Sequence, residues 1–381
     1  MMKQTFGLGR FTVSLVEVLA ASAIFSGCGG SGSSSEDTDS ASSTLGSAVT
    51  GSFNRPGDIL ISDQFNNRVI EINRAGKIVW QFGLGPTDLT ASSIVGVNDA
   101  QRVGSLTLMA GTGVPAAAPP FEVGCDNGCP DNRVILADER GKIVWQYGQF
   151  GVTGADDNQL NTPVQATYLP NRHVLITDQA NDRIIDVSIA THKIVWQYGT
   201  TGVSGMRPDQ LNGPNSAELL ENGHILISDQ GNNRAIEVDR KKNILATFTV
   251  GGTANTVAFA SRLENGHTLL TDAGNSRIVE VDKHDAVVWQ YLTNTDPLSN
   301  ASPLPTRAVR LANGETLISD QFNDRVIAVN HAGNIVASYG KLNVPGDDPK
   351  NVGQSGLNAP YDAKVVNDYT GLTPPFGNDF H

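Results

Sequence analysis

The chain is poor in several things that would each have named a function class. Its 27 Lys and Arg are outnumbered by 39 Asp and Glu, for a net charge of −12. The basic footprint needed to hold a phosphate backbone is missing, so nucleic acid is not an expected partner. Only 3 Cys occur among 381 residues. The one extended apolar run, residues 11–25, is broken by Glu17 and too short to span a bilayer comfortably. There is no His-Glu helix motif, no Asp-x-Asp-x-Asp-Gly calcium loop, and no local nucleophile beside a base and an orienting acid. The sequence names no cofactor and no metal, and it leans away from an enzyme.

What is present is repetition. Forty Gly and 18 Pro with 39% hydrophobic residues describe a turn-rich globular protein of short strands. One phrase, Ile61-Ser62-Asp63-Gln64-Phe65-Asn66-Asn67-Arg68-Val69-Ile70, returns around Asp178, Asp229, Asp272 and Asp320. An apolar run, a polar loop and a second apolar run spell strand, turn, strand. Recurrence at roughly 40–50 residues points to a propeller or solenoid array.

Each unit divides into four strands, A to D. In unit four, residues 214–220 read as A, 224–228 as B, 235–238 as C and 243–248 as D, with Asp229 to Arg234 as the B-to-C loop. Strands apolar on both faces, such as Ile225-Leu226-Ile227, need cover on both sides. Blades stacked around an axis supply it. Strand A carries Pro-x-x-Ala at Pro163/Ala166, Pro214/Ala217 and Pro305/Ala308, with Ala100 and Ala260 kept in two other units. A last copy, Pro360/Ala363, has no strand B after it, and unit one lacks a strand A. Residues 360–366 are therefore expected to pair with 59–62 and close a ring, which removes open sheet edges. The expectation is an all-β, six-bladed propeller over residues 57–366, followed by a tail at 367–381. Strand D ends in Trp80, Trp145, Trp196 and Trp289, read as packing between neighbouring blades.

Strand order sorts the loops onto two faces. The A-to-B and C-to-D turns share one end, and the B-to-C loops and D-to-A links share the other. His173, His224 and His267 begin strand B, and His192, His284 and His331 lie in or near C-to-D turns, so all six map to the short-turn face. Long links and the insertion at 111–131 fall on the opposite face, the expected place for binding. Its candidate residues are Gln64, Asn67, Arg68, Gln179, Asp182, Arg183, Gln230, Asn233, Arg234, Gln321, Asp324 and Arg325. Two readings of the repeated Asp and Arg stand side by side. In the structural one, Asp63, Asp178, Asp229, Asp272 and Asp320 accept loop N–H groups in Asx-type turns, and Arg68, Arg183, Arg234, Arg277 and Arg325 reach those carboxylates or the next blade's. In the functional one, a ring of Arg and Asn around the axial opening holds an anion.

The start of the chain reads as an address. Lys3 and Arg10 precede the apolar run, as in a secretory signal over residues 1–27. Phe25-Ser26-Gly27-Cys28 resembles the lipobox of bacterial lipoproteins, which implies lipidation at Cys28; the alternative is an ordinary cleaved signal. A Gly/Ser/Asp tract then supplies a flexible tether within 28–56. The implied place is the bacterial cell envelope, exported and held by a lipid anchor, periplasmic or at the outer membrane. In that oxidising compartment Cys125 and Cys129 are expected to form a small loop disulfide, with a metal site including Asp126 and Asp131 as the alternative.

The run Gln210-Leu211-Asn212-Gly213-Pro214, continued by Asn222-Gly223-His224-Ile225-Leu226-Ile227-Ser228-Asp229-Gln230-Gly231-Asn232-Asn233-Arg234, resembles the NHL repeat. That likeness implies a six-bladed propeller of four-stranded blades. Unit two departs, keeping only Asn132-Arg133 after its insertion. The strand D phrase is similar to repeats of quinoprotein and arylsulfotransferase-like propellers, without a single out-of-repeat His to carry that chemistry. The expected role is a monomeric binding or scaffold module for an envelope protein, a glycan or a small molecule. The alternative is a lyase, hydrolase or quinone-dependent enzyme with its site at the axial opening.

Overall fold

The structure is a computed structural model that describes residues 53–115, 125, 128–353 and 356–368. The expected signal, Cys28 and most of the tether lie outside those residues, as do the tip of the insertion and most of the tail. Six four-stranded antiparallel sheets form. Blade 1 contains β1 (Ile59–Asp63), β2 (Arg68–Ile72) and β3 (Ile78–Phe82), and blade 2 contains β4 (Val97–Val103), β5 (Leu106–Val114), β6 (Cys129–Ala137) and β7 (Ile143–Gly148). Blade 3 is β8 (Pro163–Tyr168), β9 (His173–Asp178), β10 (Arg183–Ser188) and β11 (Ile194–Tyr198); blade 4 is β12 (Ser216–Leu219), β13 (Ile225–Asp229), β14 (Arg234–Val238) and β15 (Ile244–Phe248). Blade 5 is β16 (Val257–Arg262), β17 (Thr268–Asp272), β18 (Arg277–Val281) and β19 (Val287–Leu292); blade 6 is β20 (Arg307–Arg310), β21 (Thr316–Asp320), β22 (Arg325–Val329) and β23 (Ile335–Gly340).

The last strand, β24 (Pro360–Val365), pairs antiparallel with β1 as Ile59↔Val365, Leu60↔Lys364, Ile61↔Ala363 and Ser62↔Asp362. The sheet order β24-β1-β2-β3 completes blade 1, so the expected closure is present. The first strands β4, β8, β12, β16, β20 and β24 touch in sequence and line the axis. The all-β, six-bladed propeller is thus the fold of this chain.

Each blade is a thin sheet whose two faces meet two neighbours, and the core is correspondingly divided. Six apolar clusters fill the six joints between blades; Ile70 and Ile72 of blade 1, for example, pack with Leu317 and Val326 of blade 6. The strand D tryptophans lie in these joints. Trp80 Nε1 donates to the Glu139 carbonyl of the next blade at 2.9 Å, Trp196 to Arg240 at 3.0 Å and Trp289 to His331 at 2.8 Å, while Trp145 stacks on His192. These rings pack neighbours, as the sequence implies.

Candidate functional site

The repeated loop is a single 3-10 turn after strand B, as at Gln64–Asn66. A left-handed residue then reverses the chain into strand C: Asn67, Asp182, Asn233, Ser276 and Asp324 have φ between 48° and 54°. Asn and Asp tolerate that region best among residues with a side chain, which explains their recurrence.

Asp63 sits at 0% exposure and is fully engaged. Its Oδ2 accepts Arg68 Nε at 2.8 Å and Asn66 Nδ2 at 2.8 Å, and its Oδ1 accepts the backbone N–H of Asn358 at 2.8 Å. The same pairing recurs as Arg183–Asp178, Arg234–Asp229, Arg277–Asp272 and Arg325–Asp320. The backbone donor differs from the expected Asx-type turn. It comes from the incoming D-to-A link, at Asn161, Asn212 and Asn255, because no loop N–H is capped by the Asp side chain. Burial pushes Asp63, Asp178 and Asp229 above the usual carboxylate range against the pull of their Arg and N–H partners. In blade 6 the link donor, Asn300, bonds Asn323 instead, and Asp320 is pushed by burial up to about 6.

The candidate residues are placed as follows. Eight of the twelve are buried: Gln64, Asn67, Arg68, Arg183, Arg234, Gln321, Asp324 and Arg325. The guanidinium groups open strand C, two strands out from the axis-lining strand, and engage their own blade's Asp. The left-handed residues stitch blade to blade. Asn67 Oδ1 accepts Gly96 N at 2.8 Å, Asp182 Oδ1 accepts Gly213 N at 2.8 Å, Asn233 Oδ1 accepts Thr256 N at 2.7 Å and Asp324 Oδ1 accepts Ala359 N at 3.0 Å. The glutamines turn to the axis. Gln321 Nε2 donates to Gln64 Oε1 at 2.8 Å, Gln64 Nε2 to Asn98 at 2.7 Å, and Gln179 Nε2 to Gln230 Oε1 at 3.3 Å. Tyr361 of blade 1 reaches Asn215 of blade 4 at 3.0 Å, crossing the axis between opposite blades.

Blade 2 keeps the Asp–Arg pair by another route. Gly111 stands opposite Arg133 where Asp63 stands opposite Arg68. The carboxylate comes instead from Asp131, whose Oδ1 accepts Arg133 Nε at 2.5 Å and whose Oδ2 accepts Val95 N at 2.8 Å. A Cβ on Gly111 would lie 2.6 Å from that carboxyl carbon, so the glycine makes the room. Past this point β5 and β6 continue together to Val114↔Cys129, and Cys125 and Cys129 form a disulfide, as expected. Gly128 N–H returns to the Cys125 carbonyl at 2.8 Å and tightens the bend. Asp126 lies outside the described residues, and among the described residues no group of three metal-ligating side chains forms.

The long-loop face also presents a different set of side chains. Leu84, Val152, Val203, Met206, Leu298 and Val344 are exposed, Leu298 at 72%, and all six lie on D-to-A links. The remaining exposed large hydrophobics among the described residues lie on the outer strands β7, β11, β15, β19 and β23.

Sequence reasoning missed the axis. The residue before each strand A alanine is Asp99, Gln165, Ser216, Phe259, Arg307 or Asp362. Several cap the next blade's first strand: Asp362 Oδ2 accepts Ala100 N, Asp99 Oδ2 accepts Ala166 N at 3.1 Å and Gln165 Oε1 accepts Ala217 N at 2.7 Å. Lys364 Nζ bonds Asp99 at 2.7 Å, the Ala100 carbonyl at 2.8 Å and Asp362, while Arg307 lies 3.2–3.4 Å from both acids with its guanidinium over Phe259. Despite burial, Lys364 and Arg307 hold Asp99 below the usual range; burial and the neighbouring Asp99 charge raise Asp362. The signal was available as variation at one position of an otherwise repeating strand.

No protein-family model matches the chain. No curated protein matches it in sequence. Among solved structures it is similar to a protein of unknown function from Bacteroides caccae, at TM-score 0.53 and 15% identity over 74% of this chain and 93% of that one. It is also similar to a streptogramin B lyase, at TM-score 0.50 and 12% identity over 83% and 87%. At such identities the likeness reaches the fold and not the chemistry. It agrees with the sheet topology that this chain is a six-bladed β-propeller.

Proposed function

We propose that the protein is a non-catalytic binding module of the bacterial envelope, exported, anchored through Cys28, and docking an envelope protein on its long-loop face. The observation that carries this reading is the set of exposed aliphatic side chains on the D-to-A links. A monomer leaves Leu84, Met206 and Leu298 in water at 59–72% exposure, and burying each in an interface is worth about 1.5–3 kcal/mol. Their support is rigid, because the loop carboxylates and guanidinium groups beneath them pair within each blade and Asn67, Asp182, Asn233 and Asp324 bond the next link. The docking surface is therefore the links, with the Gln, Asn and Arg of the repeated loops acting as foundation. A glycan or small molecule fits that aliphatic surface less well than a protein does.

The test is site-specific photocrosslinking in the living cell. A crosslinker at Met206 or Leu298 is expected to give one discrete protein adduct, and one at Glu221 or Asn313 on the short-turn face none. Equal adducts from both faces, or none from the links, would sink the reading. Metabolic labelling with a fatty acid that is lost in Cys28→Ser checks the anchor separately.

A further inference from the structure

The short-turn end of the axis opens into a cavity. It gives about 30 Å³ of room to the centres of water-sized molecules, within a wider mouth of about 540 Å³ that includes open solvent, between the first strands of blades 1 to 5. At the other end the axis is crossed by Tyr361 and its bond to Asn215, so the short-turn face is the way in. Its wall combines apolar surface from Leu60, Phe259 and Val366 with polar groups from Gln101, Gln165 and Thr167.

We propose that this axial mouth binds a small, uncharged, polyhydroxylated ring, the chemistry of a single sugar or cyclitol unit. Two amides are set in advance. Gln101 Oε1 is held by Tyr168 N at 2.7 Å and Gln165 Oε1 by Ala217 N at 2.7 Å. Each side chain is thereby pinned by its oxygen, and its NH2 group has no hydrogen bond among the described residues. Preset donors on a rigid sheet bind hydroxyl oxygens without first losing rotamer freedom. The Thr167 hydroxyl and the Glu218 carboxylate, itself positioned by Arg262 N at 2.8 Å, add groups that accept from a ligand hydroxyl.

The charges argue for a neutral ligand. Lys364 spends its three donors on Asp99, Asp362 and the Ala100 carbonyl, and the Arg102 guanidinium at the wall pairs with Glu71. Asp99 and Asp362 cancel Lys364 and Arg307 at the axis, and the remaining Glu218 carboxylate is engaged by Arg262 N and the Ser261 hydroxyl, so an anion in particular gains no counter-charge on entering. The apolar wall suits the C–H faces of a ring, as in most small-molecule sites. Asymmetry is the further argument. Blade packing needs only a repeated residue at these positions, whereas the first strands offer six different local environments around one opening.

The test uses the full chain in detergent, with N-acetylglucosamine, glucose and myo-inositol as neutral probes and tetramethylammonium and acetate as charged ones. Saturation-transfer NMR is expected to show contact with at least one neutral probe and none with the charged pair. The variant Gln101→Met/Gln165→Met should weaken that binding at least about tenfold, equivalent to ~1.4 kcal/mol. Apolar residues are compatible with both positions, since Val309 and Phe259 occupy the corresponding places in blades 6 and 5. Should that variant lose its thermal transition, Thr167→Val gives the same reading with one hydroxyl removed. No transfer to any neutral probe, stronger contact with a charged probe, or unchanged binding in folded variants would overturn the proposal.

Discussion

Asp324 shows how a buried carboxylate in a stitching position makes stability depend on pH. Burial, with smaller contributions from the charges of Asp63 and Asp320, pushes it up to about 6 from 3.8, while the Ala359 N–H bond pulls the other way. Between those values the folded state holds a proton that the unfolded chain has released. Stability therefore falls as pH rises from about 4 to about 6 and stays lower above. Blades 1 and 4 place Asn at the corresponding position, as Asn67 and Asn233, where the amide oxygen accepts the same link N–H without a charge. Asp324→Asn should therefore leave stability nearly unchanged at pH 3.5 and raise it by about 1–3 kcal/mol at pH 7.5. Denaturant melts at the two pH values measure this. A variant that is less stable at pH 7.5 would mean that the charge itself holds the joint between blades 6 and 1.

The loop of blade 2 poses the corresponding question for an element. Gly111 and Asp131 together reproduce what one Asp does elsewhere, so their substitution should be strongly coupled. Asp131→Gly alone leaves Arg133 buried at 2% exposure without its carboxylate, and about 3–5 kcal/mol should be lost. Gly111→Asp alone drives a second carboxylate into the first, with a Cβ contact of 2.6 Å, and should also be strongly destabilising. The double variant restores the arrangement of Asp63 and Arg68, and is expected to recover at least half of the summed loss. Urea titration of the four proteins closes the cycle, and simple additivity would contradict the substitution route. Much at this scale was legible. Strand phrases, the Pro-x-x-Ala mark and the tryptophan positions repeat, and repetition reports packing that every joint shares. What repetition hides is the exception. Asp131 standing in for a missing loop Asp needs the register Gly111↔Arg133, which no motif states. The axial set at Asp99, Phe259, Arg307 and Asp362 varies from unit to unit, so a search for recurring residues passes over it. Bonds such as Asn358 N to Asp63 join positions 295 residues apart and exist only once the ring is closed.

For the whole molecule, that closure is the step that makes one body of six sheets. Strand β24 supplies blade 1 with its first strand, places Asp362 and Lys364 on the axis, and positions the link whose Asn358 and Ala359 N–H groups bond Asp63 and Asp324. A chain ending at residue 358 would expose the β1 edge from Ile59 to Asp63. It would also leave Arg307 buried at 1% exposure opposite Asp99 without the second acid. An unpaired apolar edge recruits another strand, and the nearest suitable one belongs to a second copy. The truncated protein should therefore run as dimers and larger species in light scattering, where the full chain is expected to run as a monomer, and should melt at lower temperature. A synthetic peptide covering residues 360–366 with flanking residues should restore the monomer when present in excess, because the β1 register accepts it without rearranging blades 2 to 6. A truncated chain that stays monomeric with an unchanged transition would show that the joint between blades 6 and 1 holds without its strand, and that the apolar contacts of Ile70 and Ile72 with Leu317 and Val326 suffice to keep the ring shut.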